Sequence, residues 1–177
     1  KTTLTGDKSL YVLVGENKNF SFVRKILVSP RKYSLLVEDI VGLKSSLSSP
    51  EKLVPYIEIV RDSLETGLDG SRFAAYSYVG PVFSTEDDSF RKVQFSDLAD
   101  ESFQEISLGG WFAIIQRYFM SAWIPEQGKT YKFQARKTSK NNYSVALTGE
   151  EGLVDTNSPL SFKNQMYVGP KISEELN

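Results

Sequence analysis

Neither cysteine nor histidine occurs in the 177 residues. Without cysteine there is no disulfide and no thiolate metal site. Without histidine the commonest general base and the commonest metal ligand are both missing. Histidine-based triads, zinc-protease motifs and histidine pH switches are therefore excluded. Nor is charge of one sign in excess: 21 basic residues face 22 acidic ones, for a net charge of −1. Nucleic-acid binding, which needs a basic footprint, gains no support. No apolar run reaches the roughly 20 residues of a membrane span. No signal peptide or targeting motif is visible, and the chain starts at Lys1 rather than Met. It reads as a soluble piece excised from a longer protein.

What is present suits a globular fold. Hydrophobic residues make up 40% of the chain, and its length allows one domain with a real core. Short stretches with period-two alternation recur between turn signals. Residues 9–14, 20–29 and 33–43 read as strands, the last two joined by the turn Pro30-Arg31-Lys32 as an antiparallel hairpin. Residues 44–51 read as a polar loop and 56–63 as a strand with Pro55 at its start. Residues 73–79 form an aromatic-rich strand, after which Gly80-Pro81 is expected to bend the chain. Residues 90–95 alternate. Ser96 is placed to cap one helical turn. Residues 103–108 lead into the central stretch, 130–136 and 143–148 make a second hairpin, 150–159 are turn-rich, and 160–168 form the last strand. Gly169-Pro170 is expected to turn the chain out of that strand into a short helix over 170–176. No internal repeat is visible. Many short strands with close turn signals point to an all-β sandwich.

The central stretch, residues 109–125, reads GGWFAIIQRYFMSAWIP and holds both tryptophans. Its periodicity fits a helix or strands. The Gly-Gly entry, the β-branched and aromatic content and the Pro exit favour a broken strand pair turning near Gln116, with a short helix over 112–119 as the alternative. Trp111, Phe112, Tyr118, Phe119 and Trp123 pack in the core on one reading. On the other they line a groove for a hydrophobic polypeptide. The first reading makes each tryptophan worth about 3–5 kcal/mol of stability. Arg117, inside this apolar run, is expected to pair with a carboxylate or to reach solvent.

This stretch resembles the central signature of the large periplasmic domain of the YidC family of membrane protein insertases. The pieces are Gly109-Gly110-Trp111, Gln116, Tyr118-Phe119 and Ala122-Trp123-Ile124-Pro125. Tyr78-Val-Gly-Pro-Val-Phe before it and Met166-Tyr-Val-Gly-Pro-Lys171 after it resemble the family too. The resemblance implies a large antiparallel β-sandwich related to the galactose mutarotase fold, with a short C-terminal helix. It implies that residues 1–177 are a single periplasmic sandwich domain, the C-terminal part of a larger periplasmic region in a Gram-negative inner-membrane protein. It further implies a non-enzymatic accessory role, without a cofactor, beside a membrane bundle that inserts and folds inner-membrane proteins alone or with the Sec translocon. The implied partners are Sec components and nascent inner-membrane proteins, with Trp111, Phe112, Arg117, Tyr118, Phe119 and Trp123 as candidate contacts. Ile172 and Leu176, four apart on the expected helix, would couple the domain to the membrane.

Other constellations read more plainly. Glu86-Asp87-Asp88 lacks the spacing of a calcium loop and reads as a solvated turn. Glu150-Glu151 and Glu174-Glu175 are adjacent acids that point apart, not a glycosidase pair. Arg24-Lys25, Arg31-Lys32 and the basic loop 137–140 are too dispersed along the chain to read as a headgroup site. The competing class is a carbohydrate-binding or carbohydrate-active sandwich. A mutarotase-type enzyme would need histidines that this chain lacks.

Overall fold

The computed structural model describes residues 2–3, 7–44, 49–62, 78–139 and 141–171. Alternation of apolar and polar residues sets its architecture, because in a strand every second side chain shares a face. Among the described residues the larger sheet has nine strands, in the order β1-β2-β3-β4-β15-β11-β10-β7-β8. These are β1 (Thr2–Thr3), β2 (Ser9–Glu16), β3 (Phe20–Val28), β4 (Ser34–Leu43), β7 (Gly80–Ser84), β8 (Arg91–Lys92), β10 (Trp111–Ile115), β11 (Phe119–Pro125) and β15 (Leu160–Pro170). The smaller sheet runs β6-β13-β12-β9, from β6 (Tyr56–Asp62), β9 (Phe103–Leu108), β12 (Thr130–Lys137) and β13 (Asn142–Thr148). A two-stranded ribbon pairs β5 (Glu51–Leu53) with β14 (Gly152–Val154). Every pairing among the described residues is antiparallel.

The two sheets pack face to face over a core from both inner faces. Phe83 and Phe112 on the large sheet meet Tyr131, Phe133, Val145 and Leu147 on the small one. The Phe83 ring lies 4.4 Å from Phe103 and 6.2 Å, edge-on, from Phe133. The expected all-β antiparallel sandwich is thus the observed fold. A second apolar cluster lies on the opposite face of the large sheet and contains Val82, Ala113, Ile115, Met120, Ala122 and Tyr167. Among the described residues no helix is long and apolar enough to cross a membrane.

Several local expectations are corrected. Gly80-Pro81 does not bend the chain but lies inside β7, with Pro81 opposite Ile114. The Pro81 carbonyl accepts from Val93 N–H at 3.0 Å on the β8 side. The backbone N of Pro81 points the same way, where the ladder is short, so the missing donor breaks no bond to β10. Gly169-Pro170 likewise does not end the last strand, since Pro170 still pairs with Phe119. There Lys171 N–H donates to the Tyr118 carbonyl at 2.9 Å. Pro170 N faces the β4 side instead, beyond the first residue of β4, Ser34. Ser96 does not cap: its hydroxyl turns to Asp97 Oδ1 at 3.2 Å, and the turn it precedes is a single 3-10 turn, Asp97–Ala99. Of the alternating residues 90–95 only Arg91–Lys92 are strand, because Phe90 N–H is held by the Asp88 carboxylate at 2.9 Å in a turn. Of the strand expected over 73–79, residues 73–77 lie outside the described residues and 78–79 are not strand, and the helix carrying Ile172 and Leu176 also lies outside them.

Candidate polypeptide-binding groove

The central stretch folds as the broken strand pair rather than the helix. β10 and β11 form a hairpin closed by Gln116 N–H to the Phe119 carbonyl at 2.7 Å. Its entry needs the two glycines: Gly109 has φ 74° and Gly110 φ 97°, a region L side chains rarely occupy. Gln127 latches this entry. Its Oε1 accepts Gly110 N–H at 2.9 Å, while its Nε2 donates to the Gly110 and Pro125 carbonyls at 3.1 and 2.7 Å. Beside the hairpin, the Tyr78 hydroxyl sits 2.5 Å from the Pro81 carbonyl and 2.7 Å from that of Val93. Burial pushes its pKa up to about 12.

The hairpin divides the six sequence candidates instead of gathering them. Phe112 is wholly buried in the inner core. Trp123 is half-buried and packs on the same core from the inner face, whereas Trp111 is half-buried on the opposite face, against the second cluster and the ring of Phe90 at 6.2 Å. The expectation that both tryptophans are full core residues is therefore revised to partial burial. Tyr118 and Phe119, at the hairpin tip, are 68% and 58% exposed. Arg117 is half-buried, with its guanidinium carbon 5.8 Å from the Tyr118 ring centroid. A two-residue period and a tight turn thus send neighbouring aromatics of one run to three places.

A groove forms elsewhere, where the large sheet reaches past the small one. β3, β4 and β15 extend the inner face beyond the core. Cross-strand register sets Phe22 beside Val41, Val41 beside Leu160, Arg24 beside Asp39 and Asp39 beside Phe162. Leu53, Val54, Pro55 and Tyr56, where β5 passes into β6, make the facing wall and enclose about 580 Å³. That is the size of a site for a small ligand or several side chains. Phe162 ties its floor to the core, its ring 6.3 Å from Tyr131. Phe20 and Phe22 stand 6.3 Å apart along one rim. One bidentate pair is polar here: Arg24 Nε and Nη2 donate to Asp39 at 2.6 and 2.9 Å. Donating to the Asp39 carboxylate raises the Arg24 pKa. Two residues along β15 from Phe162, and so on the same face, Asn164 is buried with neither side-chain amide atom hydrogen-bonded among the described residues. Sequence reasoning missed this groove. Its only early signal was the shared parity of Phe20, Phe22 and Arg24.

Among the described residues the remaining charged motifs are exposed or paired, and Glu174-Glu175 lie outside them. Lys25 meets Glu38 at 3.1 Å, and Lys52 meets Glu151 at 2.7 Å. Glu86 accepts Leu108 N–H at 3.2 Å. Among the described residues no group of acidic side chains is placed to hold a metal ion.

The chain is thus an antiparallel β-sandwich with an open, mainly apolar groove along its large sheet. The YidC periplasmic domain model matches residues 1–177, and the chain belongs to that family. Membrane protein insertase YidC of Pseudoalteromonas translucida is 29% identical over 175 residues, covering 98% of this chain and 31% of that protein. The protein of the same name from Saccharophagus degradans is 31% identical over 172 residues, covering 96% of this chain and 30% of its own length. The chain thus spans about a third of these relatives and corresponds to a domain of a membrane protein. Among solved structures, the Slr1438 protein of Synechocystis sp. PCC 6803 shares the fold, with a TM-score of 0.56 at 9% identity, over 96% of this chain and 64% of that one.

Proposed function

We propose that residues 1–177 form one periplasmic sandwich unit within an inner-membrane insertase, and that the unit acts as a non-catalytic accessory module. In this reading the groove between β3, β4 and the 53–56 wall receives an extended, apolar-rich segment of a nascent inner-membrane protein or of a Sec translocon component. The observation that carries the proposal is the family match along all 177 residues. The groove supports it, because its apolar walls suit side chains that water rejects. An extended segment offers alternate side chains to such walls at a two-residue period. The carbohydrate alternative gains little here, because the groove's one charged pair is already satisfied internally by two hydrogen bonds.

The test is binding of a fluorescently labelled apolar peptide to the chain in solution. Phe22→Ser combined with Leu53→Ser is expected to weaken binding about tenfold or more, since ~1.4 kcal/mol of lost burial is tenfold. Both residues lie outside the sandwich core, so the thermal midpoint should move little. Unchanged peptide affinity in this variant sinks the groove reading, as does an aldose that competes with the peptide.

A further inference from the structure

We propose that the margin of the large sheet carrying Arg31, Lys32, Arg117 and Lys171 docks on an anionic lipid surface, with Tyr118 and Phe119 entering the headgroup layer. This goes beyond the groove reading and rests only on the family's being one of membrane proteins.

Three turns or strand ends far apart in sequence meet at this margin: the β3–β4 turn, the β10–β11 tip and the end of β15. They are tied together through the backbone. Val168 N–H donates to the Tyr33 carbonyl at 2.8 Å, and Lys171 N–H to the Tyr118 carbonyl at 2.9 Å. The Tyr33 ring packs edge-on against Tyr167 at 6.2 Å. It also occupies the space beside Gly169, where an added Cβ would fall 2.6 Å from the ring. The margin is therefore a built surface rather than separate loose loops.

Three of its cations lack the carboxylate partner that many lysines and arginines elsewhere have, as Arg136 and Lys137 of the small sheet also do among the described residues. Arg24, Lys25, Lys44, Lys52, Arg91, Lys129 and Lys163 each meet a carboxylate. Among the described residues Arg31, Lys32 and Lys171 form no ion pair, and all three are exposed. The described carboxylates on this side include Asp7, before β2, and Asp97, whose charge acts on the Tyr78 hydroxyl beside the start of β7. Along the chain the basic pairs are scattered; the register assembles them. Cations gathered in this way attract an anionic bilayer surface.

The aromatic tip supplies the second half of the chemistry. Tyr118 and Phe119, adjacent at the hairpin tip, are 68% and 58% exposed. Rings with a polar edge or a cationic neighbour favour the boundary between headgroups and acyl chains. Arg117, over the Tyr118 ring at 5.8 Å, places its charge where headgroup phosphates would lie. The groove sits at the opposite end of the same strands: Phe162 is eight residues from Pro170 along β15, roughly 25 Å at ~3.3 Å per residue. A domain standing on this margin would hold its groove away from the bilayer, open to the periplasm.

The experiment is co-flotation of the chain at low ionic strength with vesicles of phosphatidylcholine alone, or of phosphatidylcholine and phosphatidylglycerol in equal amounts. Binding is expected only to the phosphatidylglycerol vesicles, and added salt should weaken it. Lys32→Glu with Lys171→Glu should lower partitioning about tenfold or more, and Tyr118→Ser with Phe119→Ser should lower it as well. Lys132→Glu with Arg136→Glu, an equal charge change on the outer face of the small sheet, should have a much smaller effect. All these side chains lie outside the core, so an unchanged thermal midpoint certifies the fold. Equal binding to both vesicles, no binding to either, or an equal loss in the control pair overturns the proposal. The peptide titration in solution contains no lipid, so its result is separate from this one.

Discussion

Replacing Phe112 by alanine is expected to destabilise the domain by about 3–5 kcal/mol, in the range for a large aromatic removed from a packed core. Phe112 has no exposed surface and stands between Phe83 on β7 and Trp123 on β11. The facing sheet closes over it with Phe133 and Val145 of the same core cluster. Strands on both sides fix the backbone, so the cavity cannot collapse. Urea unfolding followed by tryptophan fluorescence would measure the loss. Trp111→Ala in the same assay should cost less, because the indole is half-buried. An equal or larger cost at Trp111 would mean that the outer cluster, not the inner one, dominates stability.

An effect of similar size is expected from Gly110→Ala, for a different reason. At φ 97° an L residue is strained by about 1–3 kcal/mol. Its Cβ would also fall onto the Ser84 carbonyl oxygen and 3.4 Å from the Phe133 ring. Ser84 is backbone in the neighbouring strand and cannot swing aside. β10 would have to part from β7, taking the Trp111–Ser84 pairing with it. A loss of about 3 kcal/mol or more is therefore expected. Gly128→Ala has a positive φ of 80° but nothing within 4 Å of the added Cβ, and should show the conformational strain alone. Equal stability of the two variants would contradict a tight approach of β10 to β7.

The strands that alternate cleanly were legible in the sequence. The β3–β4 and β12–β13 hairpins match their expected positions to within a residue or two at their strand ends, because each has one face on apolar neighbours and one toward polar surroundings. The glycine pair and the β-branched content likewise read the central stretch correctly as strands. The ribbon of β5 and β14 was not legible, since three residues are too few to show a period. The prolines at 81 and 170 misled because their cost depends on whether a neighbouring strand needs the missing donor, which only topology decides. The site was less legible still. Phe112 and Phe119 belong to one apolar run, and composition does not separate the core residue from the exposed one. The groove draws on residues near 22, 40, 54 and 161, and the basic margin on residues near 31, 117 and 171. Neither exists until the register of the large sheet is set.

Occupation of the groove by a polypeptide segment, as proposed above, is tested most directly in the full-length protein. The direct measurement places a photo-crosslinking amino acid at Phe22 in the membrane-embedded full-length protein, with a control at Lys132 on the far face of the small sheet. During synthesis of an inner-membrane substrate, irradiation is expected to yield adducts with the nascent chain or a Sec component from position 22 and few from position 132. Adducts that are absent at 22, or as abundant at 132, would contradict the account.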